Sequence, residues 1–180
     1  NLPLFFLMEF SIFTIVLLCL AFFIAGFIDS IAGGGGLITL PSLLFAGIPP
    51  QLALGTNKLA STFGTGTAVF NFVRSKKIIW KVVAFGIAFS LGGSFLGSQT
   101  VMIFNQDIVG KIIVFMLPLG VIAVLIPRKG IISGCELTKR DLSLKIPLIC
   151  LIIGFYDGFF GPGTGSFLTL SFFFFTRMKL

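Results

Sequence analysis

The chain has 180 residues, of which 56% are hydrophobic and only 11% charged; its mean hydropathy is +1.11 and its net charge +7. A soluble domain carries about a quarter charged residues, so this composition excludes a water-soluble globule and implies an all-α, polytopic membrane protein. The bases sit in short stretches between apolar runs, which reads as membrane topology and not as nucleic-acid binding.

Three uncharged runs, Phe10–Ile28, Val82–Gln106 and Gly158–Thr176, reach the roughly 20 residues that cross hydrocarbon as a helix. Phe10 to Ile31 is the first predicted span. Its upstream region holds Glu9 and no base, which favours a retained helix over a cleaved leader. Gly33, Gly34, Gly35 and Gly36 then break it, because each glycine costs a helix about 1 kcal/mol against alanine. Leu37 to Ala46 resumes as a half-helix and Gly47-Ile48-Pro49-Pro50 ends it.

Gln51 to Val73 is the second long helix, rich in small and hydroxylated residues that suit close packing. It carries Thr56, Asn57 and Lys58 near its start. Arg74, Lys76, Lys77 and Lys81 follow, so loop 74–81 is expected to be cytoplasmic. Val82 to Phe104 is next, with a Gly93-xxx-Gly97 packing face; Ile108 to Ile126 follows with Pro118 inside it. Loop 128–145 holds five bases against two acids and should share the side of loop 74–81. Ile146 to Tyr156 begins a new helix. Cys19, Cys135 and Cys150 show no metal or redox spacing, and no cofactor is expected.

The stretch from Gly26 to Pro41 recurs 128 residues later. Gly26, Phe27, Asp29, Gly33, Gly35 and Leu40 match Gly154, Phe155, Asp157, Gly161, Gly163 and Leu168. Such register implies an internal duplication, with a first repeat over 1–145 and an incomplete second one over 146–180. A chain that starts at Asn1 and stops just after the second glycine motif reads as a fragment of a longer two-repeat protein. A re-entrant half-helix would start the first span in the cytoplasm and make the repeats parallel. A full crossing would invert them, and both arrangements occur in transporters.

Irregular backbone at membrane depth must be buried in protein or line a cavity. Half-helices starting at Gly35–Ile38 and Thr164–Phe167 would point free N–H groups at an oxyanion. The anion-binding candidates are Gly33, Gly34, Gly35, Gly36, Thr56, Asn57, Lys58, Gly161, Gly163, Thr164 and Gly165. A tight helical hairpin that needs glycine only for packing is the structural alternative. Asp29 and Asp157 either relay protons or cap the glycine turns. Lys58 attracts the anion, pairs with Asp29 or snorkels to the interface.

The run Asp29 to Pro41, followed by Gly47-Ile48-Pro49 and Gly55-Thr56-Asn57-Lys58, resembles the TauE/SafE sulfite exporter family of permeases. Gly154 to Gly165 is similar to that family's second-repeat motif. The resemblance implies a multi-pass permease of the inner (plasma) membrane, about eight spans in two halves, moving sulfite, sulfonates or related small anions. Its partners would be the lipid bilayer and the anion, with homo-oligomerisation open and no role as an enzyme. The rival readings are an intramembrane aspartyl protease using Asp29 and Asp157, and a non-transporting assembly subunit.

Overall fold

Backbone in hydrocarbon has no water to bond to, and the chain answers with helices: there is no strand among the described residues. The computed structural model describes residues 11–32, 34–74, 80–125 and 144–176. The helices are α1 (Ile12–Ala32), α2 (Gly36–Phe45), α3 (Pro50–Arg74), α4 (Trp80–Ile103), α5 (Gln106–Leu125), α6 (Ile146–Phe159) and α7 (Thr164–Ser171). A single π-turn, Phe172–Thr176, follows α7. Segments Ile12–Ser30, Val83–Ile103 and Gln106–Leu125 are long and apolar enough to cross a membrane. α3 has 25 residues, about 37 Å at 1.5 Å per residue, but its polar content sets it apart.

The apolar run from Gly158 to Thr176 is not one span. α6 stops at Phe159, and Gly161 (φ +92°) and Gly163 (φ +79°) take left-handed backbone that turns the chain into α7. Pro41 sits inside α2 without ending it. α2 ends one turn later at Gly47, φ +81°. Gly47 N–H donates to Leu44 O (2.9 Å) and Ile48 N–H to Leu43 O (3.1 Å), a Schellman cap.

Both glycine breaks make hairpins that return. Gly35 at the start of α2 lies against Ala25 and Asp29 of α1, and Leu18 and Phe22, earlier in α1, pack on the cluster that contains Leu40 and Leu43. Phe167, Leu168 and Phe172 fold back onto Ile146, Ile149, Cys150 and Ile153 of α6 in the same way. α2 and α3 are antiparallel through Thr39 and Asn57, so α1 starts at the end of the bundle where α3 starts. α6 starts at the other end, where Arg74 closes α3 and Trp80 opens α4. The returning hairpins therefore go with inverted halves, not parallel ones: α2 leads into α3, and that connection places the start of α1 opposite Arg74. Most of loops 74–81 and 128–145, namely residues 75–79 and 128–143, lies outside the described residues, but the helix ends flanking them share one end of the bundle.

The closest packing joins the two halves. Gly86 faces Cys150, Gly154 faces Ser90, and Gly158 faces Ser94, so α4 and α6 run parallel with small residues at a spacing of four. A Cβ at Gly154 would stand 2.5 Å from Ser90 O, and one at Gly158 would overlap Ser94 O. Gly93 and Gly97 meet the backbone of Leu151, Phe155 and Phe159, which confirms the expected packing face. By contrast, an added Cβ at Gly64 or Gly66 of α3 would meet no described residue within 4 Å.

Overpacking a close contact costs about 1–3 kcal/mol. Gly158→Ala in the full-length protein should therefore lower the thermal midpoint in detergent clearly. Gly92→Ala, one residue from the same seam but with no atom within 4 Å of the added methyl, should leave it unchanged. Equal midpoints for the two variants would show that the seam tolerates side chains.

Candidate functional site

The two glycine breaks meet inside the bundle. A Cβ at Gly36, the first residue of α2, would lie 3.0 Å from Pro162 of the second turn and 3.0 Å from Asn57 Nδ2. Gly163, the residue that caps α7, lies against Gly120 of α5, and Gly120 in turn touches Leu37 of α2. The starts of α2 and α7 thus converge on α5 from opposite ends, as the duplicated motif leads one to expect.

The matching acids are used differently. Asp29 Oδ1 accepts the Gly35 N–H at 2.9 Å, which closes the first turn. Gly35 has ordinary helical backbone, so its lack of a side chain serves space: a Cβ would stand 2.6 Å from Ala25 O and 2.8 Å from the Asp29 Cβ. Asp157 does not cap the second turn. Its Oδ2 lies 2.6 Å from Lys58 Nζ, and Nζ also donates to the Asp157 carbonyl at 2.5 Å. Tyr156 closes the second turn in its place, donating its hydroxyl to Pro162 O at 2.8 Å while its ring packs on Phe160 and Phe167.

Lys58 therefore pairs with the second repeat's acid, not with Asp29. It does not snorkel: it lies eight residues into α3, about 12 Å along the axis, and turns inward. Its side chain is 39% exposed and that of Asp157 32%, because both border a cavity of about 350 Å³ between α3, α4 and α6. Gln51, Gly55, Ser98, Met102 and Phe160 complete much of its wall. Gln51 also donates to Phe104 O at 2.8 Å, tying the start of α3 to the end of α4.

The other expected residues divide into two groups. Gly161 stands beside Lys58 Nζ, 3.3 Å from an added Cβ, and so belongs to the ion-pair corner. Asn57 is buried and accepts a hydrogen bond from Thr39, which fixes α2 to α3. Gly34 packs on Val124, and Thr164 bonds back to Gly161 O at 2.5 Å. Thr56 is half-buried and Gly165 exposed, and neither lines the cavity. Gly33 lies outside the described residues. Gln51, Ser98 and Tyr156 were not singled out by the motif reading: Gln51 and Ser98 matter because α3 and α4 border one cavity, and Tyr156 because the turn after it brings Pro162 O to its hydroxyl. No group of three or more possible metal ligands occurs among the described residues.

Comparison with known proteins places this geometry in a family. The family model for sulfite exporter TauE/SafE matches residues 18–180. A probable membrane transporter protein, ORF9, of a Sinorhizobium species is 43% identical over 86% of this chain and 59% of its own length. A probable membrane transporter protein of Haemophilus influenzae is 40% identical over 87% of this chain and 60% of its own. YunE of Bacillus subtilis, also a probable membrane transporter protein, is 28% identical over 85% of this chain. The chain spans about three fifths of the length of the first two relatives. No solved structure matches it. On the matched span and the identities together, the chain belongs to the TauE/SafE sulfite exporter family.

Proposed function

We propose that the protein is a secondary permease of the cytoplasmic membrane for a small oxyanion, and that anion and proton movement are coupled at Lys58 and Asp157. The observation that carries this reading is the ion pair between Lys58 of α3 and Asp157 of α6 on the wall of a mostly apolar cavity. Residues 1–145 are the first repeat and 146–180 open the second. The basic loops face the cytoplasm. The family name and the relatives' names support transport of a small substrate, and a sulfur oxyanion is the substrate class that the family's name indicates.

In the resting pair Lys58 is neutralised, so the cavity offers no free cation. A proton on Asp157 removes its charge and releases the ammonium to an oxyanion in the cavity. Gln51 keeps a second amide hydrogen after its bond to Phe104 O, while the Ser98 hydroxyl on the same wall donates to Phe95 O at 2.9 Å and offers its oxygen lone pairs. Loss of the anion restores the pair as Asp157 gives its proton up. The half-helix starts support the site from behind: their partial positive charge lies beside Asn57 and Pro162. Asp29 serves as the cap that holds the first start in place.

The protease reading finds no support in the geometry. A shared-proton pair needs its two carboxyls together. Here Asp29 is engaged with Gly35 and Asp157 with Lys58.

Three substitutions in the full-length protein, reconstituted in proteoliposomes, test the proposal against sulfite, sulfate, thiosulfate and short sulfonates. A hydrogen bond to a charged group contributes about 1.5–3 kcal/mol, so Lys58→Ala should cut flux of the best anion roughly ten- to a hundredfold. Asp157→Asn should retain anion binding but lose the response of flux to a pH gradient. Asp29→Asn keeps a carbonyl acceptor for Gly35 and should transport normally, whereas Asp29→Ala should cost about 1 kcal/mol of stability, as lost helix caps do. Normal, pH-responsive flux in both Lys58→Ala and Asp157→Asn would overturn the site.

A further inference from the structure

The first helices of the two hairpins match in sequence, yet among the described residues only α6 has a helix packed along the matching face. α6 presents Gly154, Phe155 and Gly158 to α4. Gly154 and Gly158 meet Ser90 and Ser94, and the Phe155 backbone meets Gly93 and Gly97. At the repeat offset these three positions become Gly26, Phe27 and Ser30 of α1. No described residue lies within 4 Å of an added Cβ at Gly26. Phe23 is 77% exposed and Phe27 66%. The Ser30 hydroxyl turns back onto Phe27 O at 2.6 Å, so the face presents no unsatisfied polar group to an apolar neighbour.

We propose that this face of α1 seats a further membrane-spanning helix of the same polypeptide: the second repeat's counterpart of α4, running parallel to α1. Small residues on α1 would say little alone. What assigns the seat is that the same positions, one repeat later, hold a helix at backbone contact. The symmetry also names the occupant. α4 belongs to the first repeat and packs on the second repeat's hairpin. The inverted relation between the halves therefore requires the second repeat's equivalent helix to pack on the first repeat's hairpin. The relatives have the chain length for it, since residues 1–180 span only about three fifths of theirs. A lipid would fill an exposed face without needing glycine at position 26; a helix backbone at close approach does need it.

The inference uses no part of the transport reading, so the two stand or fall separately. The test is Phe27→p-benzoylphenylalanine in the full-length protein, irradiated in native membranes that also hold a differently tagged wild-type copy. The expected product migrates as a monomer, and its digest joins the Phe27 peptide to a peptide from beyond Leu180. A crosslinked dimer with the tagged copy, a lipid adduct, or a peptide from within residues 1–180 would each overturn the assignment. A second variant reads the same contact without chemistry. Gly26→Leu should lower the thermal midpoint of the full-length protein, as Gly154→Leu should, and an unchanged midpoint for Gly26→Leu beside a lowered one for Gly154→Leu would count against the seat.

Discussion

The constraint on which the rest of this structure depends is that two helices are interrupted where water is scarce. Each interruption leaves backbone groups that hydrocarbon cannot satisfy. The chain solves this by bringing the two interruptions together against α5. Gly36 meets Pro162, and Gly163 meets Gly120. The open backbone is then closed locally by two side chains that reach from the preceding helix, Asp29 accepting from Gly35 N–H and Tyr156 donating to Pro162 O, while Thr39 donates to the Asn57 side chain and ties α2 to α3. Glycine serves this arrangement for two different reasons. Around Gly35 it removes bulk under an ordinary helical conformation, and at Gly161 and Gly163 it permits left-handed backbone. Two turns that match in sequence have thus reached the same place by different local means.

The same divergence explains what could be read in advance. The helix positions, the two breaks, the Gly93-xxx-Gly97 face and the convergence of the half-helices all follow from hydropathy, glycine runs and repetition. These signals are local or periodic, so they survive in one dimension. The partner of Lys58 does not. Asp29 and Asp157 are equivalent in the repeat, and nothing along the chain says that one caps a turn while the other meets a lysine 99 residues away. Gln51 and Ser98 were invisible for a similar reason: they matter because α3 and α4 border one cavity. The returning course of α2 was also undecidable from hydropathy, since ten apolar residues fit either a crossing or a hairpin. Gly154 and Gly158 stood out as part of a motif, but their use as the seat of α4 depends on the fold.

That seat has a consequence for how the halves can move, if the cavity is where the anion binds. The backbone of α4 is pressed against α6 with no side chain between them at Gly93, Gly97, Gly154 and Gly158. Packed interfaces of this kind are not continuously deformable, so α4 and α6 should travel as one body. The cavity lies between that body and α3. Access to it can therefore change by displacement of α3 against the α4–α6 pair, and the contact that must break is the one between Lys58 on α3 and Asp157 on α6. A charge pair is suited to this place: its strength depends on whether Asp157 carries a proton and whether an anion competes for the ammonium, while the apolar contacts around it respond to neither. The glycine seam thus determines which elements stay together, and the ion pair makes their separation from α3 sensitive to the two species that the proposal has the protein move.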